Sequence, residues 1–264
     1  MPFAKLKTAR IHYNFTAGTD LPVLVLSNSL GTDFTMWDPQ FEALSKTFRI
    51  LRYDTRGHGQ SSSTSGAYTI ERLTKDLIGL LDHLRLSRVY FCGLSIGGLT
   101  GMCLGINAPE RLHKIVLCNT ALKIGTAESW NARIETVKKN GVQSIAPTAM
   151  ERWFTPSFRS RFPQIVRGAE EMLLSTSNEG YVGCCAAIRD ADFSIEGSTN
   201  SISSIRLPTL VVAGAHDPVA TTADAHAIVN RIPGAQYFEL DAAHLSNIED
   251  ATAFTMGVER FLLA

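Results

Sequence analysis

The chain has 264 residues, 45% hydrophobic and 19% charged, long enough to bury a large core in one big domain or one domain with an insertion. Its 25 Lys and Arg balance 25 Asp and Glu and are scattered along the chain, which excludes the electrostatic footprint of a nucleic-acid binder and gives no basis for an anionic-membrane partner. No apolar run reaches the roughly 20 residues of a membrane span, and the opening MPFAKLKTARIHYNF has no apolar segment followed by a small-residue cleavage site, so a cytoplasmic protein is expected.

In chain order, residues 22–27 (PVLVLS) and 48–53 (FRILRY) read as strands, and 69–86 as a helix with Ile70, Leu73, Leu77, Leu80, Leu81 and Leu84 at helical spacing. A strand at 88–92 (RVYFC) leads into a helix over 96–108 that Pro109 stops, followed by a strand at 114–118 (KIVLC). The strand rhythm then lapses from 122 to 205, where 128–139 and 162–174 are helical patterns punctuated by Pro147, Pro156 and Pro163. It resumes at 209–213 (TLVVA) and 235–240 (AQYFEL). Near-continuous apolar strands alternating with helices predict an α/β fold with a mostly parallel sheet covered on both faces. The division expected is a core of 1–121 and 206–264, with 122–205 as a helical cap, or lid, over the sheet's carboxyl edge, where open α/β sheets bind ligands. Segments 61–66 and 198–204 read as mobile surface loops. The five cysteines, Cys92, Cys103, Cys118, Cys184 and Cys185, have neither zinc-ligand spacing nor an even count. Neither a metal nor a disulfide framework is expected, and the Cys184-Cys185 pair reads as packing.

The strongest chemical signal is Gly93-Leu94-Ser95-Ile96-Gly97 between a predicted strand and a predicted helix. Glycines there permit a strained turn and close passage of backbone, lifting the serine to the top of the sheet at a helix N-terminus. In α/β-hydrolases, which this pattern resembles, the chain order is serine, acid, histidine. A serine hydroxyl needs such a base and an orienting carboxylate. His12, His58, His83 and His113 fall outside that order or on expected surface elements, and His226 sits within a helical pattern. His244 stands in a loop after the last strand. Asp217 follows TLVVAG at a strand's carboxyl end and is the chosen acid. Asp241 competes, but three residues of separation in a short loop disfavour it. Asp54, in a glycine-flanked turn before the serine, reads as a structural corner. The oxyanion hole is expected from the backbone N–H of Ile96 and that of Leu30 in the loop Asn28-Ser29-Leu30-Gly31-Thr32.

Taken together with Ala108-Pro109-Glu110-Arg111-Leu112, these residues resemble the α/β-hydrolase superfamily over nearly the whole chain. Within it, Ser27 to Thr32 with Met36-Trp37, Met150 to Thr155 (MERWFT) and His244-Leu245-Ser246-Asn247 resemble the 3-oxoadipate enol-lactonases of aromatic catabolism. The commoner His-Gly pair before the oxyanion loop is here Asn28-Ser29, which agrees with the lactonases rather than with lipases. The resemblance implies that Ser95 attacks the lactone carbonyl, His244 takes its proton and Asp217 stabilises the imidazolium, without metal or cofactor. It also implies a small lactone substrate carrying a carboxylate, for which Arg133 is the expected cation, on a helical face with Trp130, Ile134 and Val137. An arginine covering core with its head in water is the other reading of Arg133, and Trp153 either walls the pocket or simply packs. A carboxylesterase, carbon–carbon bond hydrolase or perhydrolase on the same scaffold is the alternative function, and a non-catalytic hydrolase-like receptor a third.

Overall fold

Strands buried on both faces can be apolar at every position, and β3 (Val23–Ser27) and β7 (Thr209–Gly214) are buried at every residue. In the computed structural model, which describes residues 2–18, 20–195 and 201–264, they join β1 (Phe3–Lys5), β2 (Arg10–Phe15), β4 (Arg49–Tyr53), β5 (Val89–Leu94), β6 (Leu112–Cys118) and β8 (Gln236–Leu240) in one sheet of order β1-β2-β4-β3-β5-β6-β7-β8. The pairs β1–β2 and β2–β4 are antiparallel, and every pair from β4 to β8 is parallel. The six expected strands are present within a residue or two. The antiparallel pair at the edge, β1 and β2, is an addition to the expected sheet, because RIHYNF mixes charged and polar residues and β1 has only three.

Around the sheet lie α1 (Asp38–Leu44), α2 (Ile70–His83), α3 (Ile96–Asn107), α9 (Thr222–Val229), α10 (Ser246–Glu249) and α11 (Ala251–Leu263), while α4 (Ala127–Asn140), α5 (Ala146–Trp153), α6 (Pro156–Arg161), α7 (Pro163–Ser175) and α8 (Asn178–Asp190) occupy the stretch between β6 and β7. Helix α2 starts where the Thr69 side chain accepts the Arg72 N–H, and it ends before the expected residue 86. Arg85 takes a positive φ of 57°, and the Leu86 N–H turns back to the Leu81 carbonyl, so Leu84 and Leu86 pack after the helix has ended. Helix α3 is buried along almost its whole length against β5 and β6, which places its N-terminus at the carboxyl edge of the sheet.

The segment 61–66 is anchored at its start: buried Ser61 accepts from the His12 N–H and donates to the Asp54 carbonyl. The other expected loop, 198–204, lies partly outside the described residues, and its tail forms a short turn with Ile202 buried. His12 and His58, set aside as outside the serine, acid, histidine order or on expected surface elements, are both buried. All five cysteines are buried and free. No helix among the described residues is long and apolar enough to cross a membrane.

Candidate active site

Ser95 occupies the turn from β5 into α3 with φ 60° and ψ −114°, a sparsely populated conformation that costs on the order of 1–3 kcal/mol and persists only where its surroundings fix it. Its N–H is held by the Cys118 carbonyl at 2.9 Å. The flanking glycines are required by space: a Cβ on Gly93 would lie 2.3 Å from the Gly97 carbonyl oxygen, and one on Gly97 would lie 2.3 Å from that of Ser27. The first N–H groups of a helix have no intrahelical carbonyl, so Ile96 presents a free donor beside Ser95.

His244 stands in the loop between β8 and α10, and its Nδ1 meets Asp217 Oδ2 at 2.8 Å, both side chains being buried. Asp217 follows β7 and is surrounded by donors. Oδ2 also accepts from Asn119 Nδ2 at 3.0 Å, and Oδ1 accepts from the Val219 and Ala220 N–H groups at 2.7 and 3.1 Å. Burial alone would raise the Asp217 pKa; the charge and hydrogen bond of His244, with Asn119 and the Val219 N–H, carry it below the ordinary carboxylate range. Asp241 is used elsewhere, its Oδ1 lying 2.7 Å from His216 Nε2 at the exposed surface. Asp54 accepts from the Phe34 and Gln60 N–H groups and pairs with His12 Nδ1 at 2.7 Å, away from Ser95.

Asn119 was not legible as a site residue. It follows β6 with φ 45°, and besides Asp217 it donates to the Ala243 carbonyl and accepts from Ser246 Oγ at 2.6 Å. One side chain thus ties the carboxylate to the histidine loop and to α10. Glu249 accepts the Ala243 N–H and Trp153 accepts the Leu245 N–H, so the peptides on both sides of His244 are fixed. The available sequence signal was a polar residue directly after a strand's carboxyl end, where open α/β sheets place their ligands.

Ser95, His244, Leu30, Trp130, Arg133 and Trp153 line one small cavity of about 30 Å³, together with Arg152 and Tyr181. Among the described residues no hydrogen bond joins Ser95 to His244; the two meet as walls of this cavity. Such bonds are often long before substrate arrives. Six of the same residues, including Trp130, Arg133 and Arg152, also border a vestibule of about 600 Å³. The Arg133 guanidinium lies 4.9 Å from the Trp130 ring centre, a cation–π placement. Arg152, absent from the expected site, lies on α5 beside Trp153. Partial burial and the Arg133 charge both lower its pKa. Tyr181, buried beside them, has its hydroxyl pKa pushed up by burial. Among the described residues neither guanidinium forms an ion pair with a carboxylate.

A mostly parallel sheet with a serine at the turn into the helix after its fifth strand, followed in the chain by an acid and a histidine at later strand ends, defines an α/β-hydrolase. The family described as serine aminopeptidase, S33, matches residues 21–241, and the chain belongs to this α/β-hydrolase family. It is 43% identical to 3-oxoadipate enol-lactonase 2 of Acinetobacter baylyi over 94% of this chain and 91% of that one. Against 3-oxoadipate enol-lactonase 1 of the same organism the identity is 40%, over 88% and 85%. The crystal structure of the enol-lactonase from Burkholderia xenovorans LB400 superimposes with a TM-score of 0.96 at 44% identity, covering 100% of both chains.

Proposed function

We propose that this chain is a serine hydrolase that opens the ring of 3-oxoadipate enol-lactone to 3-oxoadipate. The observation that carries the substrate class is the pair Arg133 and Arg152, which have no carboxylate partner among the described residues and share a cavity with Ser95 and His244. A guanidinium binds a carboxylate with paired, charge-assisted hydrogen bonds, and the lactone carries one carboxylate on its side chain. The names of the enol-lactonases above agree with this reading; the serine aminopeptidase description gives the scaffold, which does not fix a substrate.

In the proposed reaction the Ser95 hydroxyl attacks the lactone carbonyl while His244 Nε2 takes its proton. The developing oxyanion is held by the N–H groups of Leu30 and Ile96. The acyl–oxygen bond of the ring then breaks, His244 returns the proton to the departing enol oxygen, and the enol stays tethered because the ester was cyclic. Water, deprotonated by His244, adds to the acyl carbon, and Ser95 recovers its proton as the acid departs. The enol becomes the ketone, which makes ring opening effectively irreversible. Asp217, held ionised, supports the imidazolium at both steps.

A cavity of about 30 Å³ holds little more than a water's share of space. Residues 122–205 are therefore proposed as a cap whose helices α4 and α5 yield toward the vestibule when the lactone binds, with Trp130 and Trp153 packing against its ring.

The test compares the lactone with p-nitrophenyl acetate, an uncharged ester, in Arg133→Ala and Arg152→Ala. A hydrogen bond to a charged group contributes roughly 1.5–3 kcal/mol, Arg133 being half-buried and Arg152 exposed, so each variant should lose at least about 10-fold in kcat/KM for the lactone, mostly through KM. Hydrolysis of the neutral ester should stay within about threefold. An equal loss on both substrates would remove the carboxylate-binding role, and turnover of the neutral ester alone would favour the carboxylesterase reading.

A further inference from the structure

The Gly31 N–H, one residue beyond the proposed donor Leu30, points at the imidazole of His58, with 2.9 Å between Gly31 N and His58 Nε2. A backbone N–H can only donate, so Nε2 must present its lone pair, and the ring proton must sit on Nδ1. There it faces the Arg56 carbonyl at 3.2 Å. His58 is buried, and burial lowers its pKa to about 4, which agrees with a neutral ring.

We propose that His58 is a positioning residue of the oxyanion hole, a fixed acceptor that holds the Leu30–Gly31 peptide and, through the Leu30 Cα, keeps the N–H of the preceding peptide beside Ser95. The inference rests on Ser95 being the nucleophile, not on which ester it attacks.

The surroundings of the loop explain why such an acceptor is needed. Gly31 has φ 79°, so its peptide is less restricted than that of any residue bearing a side chain. From the cap side the loop is packed closely: a Cβ on Gly31 would lie 2.6 Å from Leu173 and 3.3 Å from Tyr181. From the core side it is tied at several points, since Asn28 Nδ2 donates to the Tyr53 carbonyl, Trp37 Nε1 donates to Asn28 Oδ1, and the Phe34 N–H donates to Asp54 Oδ1. The Leu30 N–H itself belongs to the Ser29–Leu30 peptide, whose carbonyl accepts from the Thr32 N–H and Oγ1; among the described residues the next peptide, Leu30–Gly31, is held at its N–H by His58. Without the imidazole that second unit can turn about the bonds on either side of it, and the Leu30 Cα, which it shares with the donor-bearing peptide, loses one of its two holds. The same bond removes Gly31 as a rival oxyanion donor. It also gives the Asp54 to Gly59 turn a function: both Asp54 and His58 from that turn grip the oxyanion loop, while Gly57 in it packs on Gly180 of α8 so closely that a Cβ would lie 2.3 Å from the Gly180 Cα.

His58→Ala and His58→Gln test this with p-nitrophenyl acetate, so that failure of the lactone assignment does not affect the result; Ser95→Ala is the control. His58→Ala should lower kcat by about 10- to 100-fold, less than the 10²–10³ of losing an oxyanion donor outright, with KM within about threefold. Affinity for a boronic acid, whose tetrahedral serine adduct needs the hole, should fall in step. His58→Gln, whose carbonyl can accept from Gly31, should recover most of kcat. If His58→Ala does not fold, a ¹⁵N–¹H spectrum of the histidine rings in the Ser95→Ala protein decides: a proton on Nδ1 of His58 is expected, and one on Nε2 would overturn the proposal. Unchanged kcat in folded His58→Ala, or a boronic acid affinity unaffected by it, would overturn it equally.

Discussion

Ser95→Ala is expected to lower kcat for lactone opening by about a million-fold, the scale on which loss of a serine nucleophile removes the work of its whole catalytic set. The variant should keep its fold. Ser95 owes its strained backbone to Gly93, Gly97 and the bond from its own N–H to Cys118, none of which involves the hydroxyl. Among the described residues Ser95 Oγ has no hydrogen-bond partner to lose. Binding of 3-oxoadipate, proposed above to rest on Arg133 and Arg152, should survive, so titration of the product into Ser95→Ala separates loss of chemistry from loss of structure. Residual turnover within a hundredfold of the parent protein would mean that another group attacks.

Asp217→Asn should lower kcat by about 10⁴-fold for a reason written in its hydrogen bonds. Oδ2 accepts from both His244 Nδ1 and Asn119 Nδ2, and Oδ1 accepts from two N–H groups. An amide has one acceptor and one donor end. With its oxygen kept on the two N–H groups, its NH₂ faces His244 and the Asn119 NH₂, so His244 must turn its lone pair to Nδ1 and its proton to Nε2. A histidine in that tautomer has no site to take the Ser95 proton. Because the pKa of Asp217 is already below the ordinary carboxylate value of 3.8, the aspartate remains charged as pH falls through that value. The stability contributed by its depressed pKa is present above that ordinary value and is lost only as pH drops through the folded one. The acidic fall in activity of the parent protein should therefore lie above the titration of Asp217, and a pH–rate profile from 4 to 9 measures where it lies.

The six parallel strands were legible because burial on both faces leaves near-continuous apolar runs such as VLVLS and TLVVAG, a pattern that solvent-facing strands do not produce. Ser95 was legible for a related reason: the requirement for glycine at 93 and 97 comes from backbone carbonyls 2.3 Å away from where a Cβ would sit, and this leaves a mark in the sequence. Long-range polar partners leave none. Asn119 meets Asp217 across 98 positions and Ser246 across 127, and nothing local distinguishes it from an ordinary turn asparagine. Arg152 was hidden similarly, since nothing local to α5 shows that it shares a cavity with Arg133 on α4 and Tyr181 on α8. His58 was set aside because it precedes the serine in the chain and so falls outside the serine, acid, histidine order; its turn packs on Gly180 of α8, and its imidazole is buried. β1 escaped because it has only three residues, and β2, although RIHYNF alternates polar with apolar residues, was passed over beside the continuous apolar runs.

The central claim, that Ser95 opens a carboxylated lactone, is tested most directly by following the ultraviolet absorbance of 3-oxoadipate enol-lactone in the presence of the parent protein and of Ser95→Ala, with p-nitrophenyl acetate alongside. The expected result is ring opening by the parent protein with a kcat/KM at least about 10-fold above that for the neutral ester, the margin of one charge-assisted carboxylate contact, and no opening by Ser95→Ala. A lactone left intact while the neutral ester is consumed, or one opened equally well without Ser95, would contradict it.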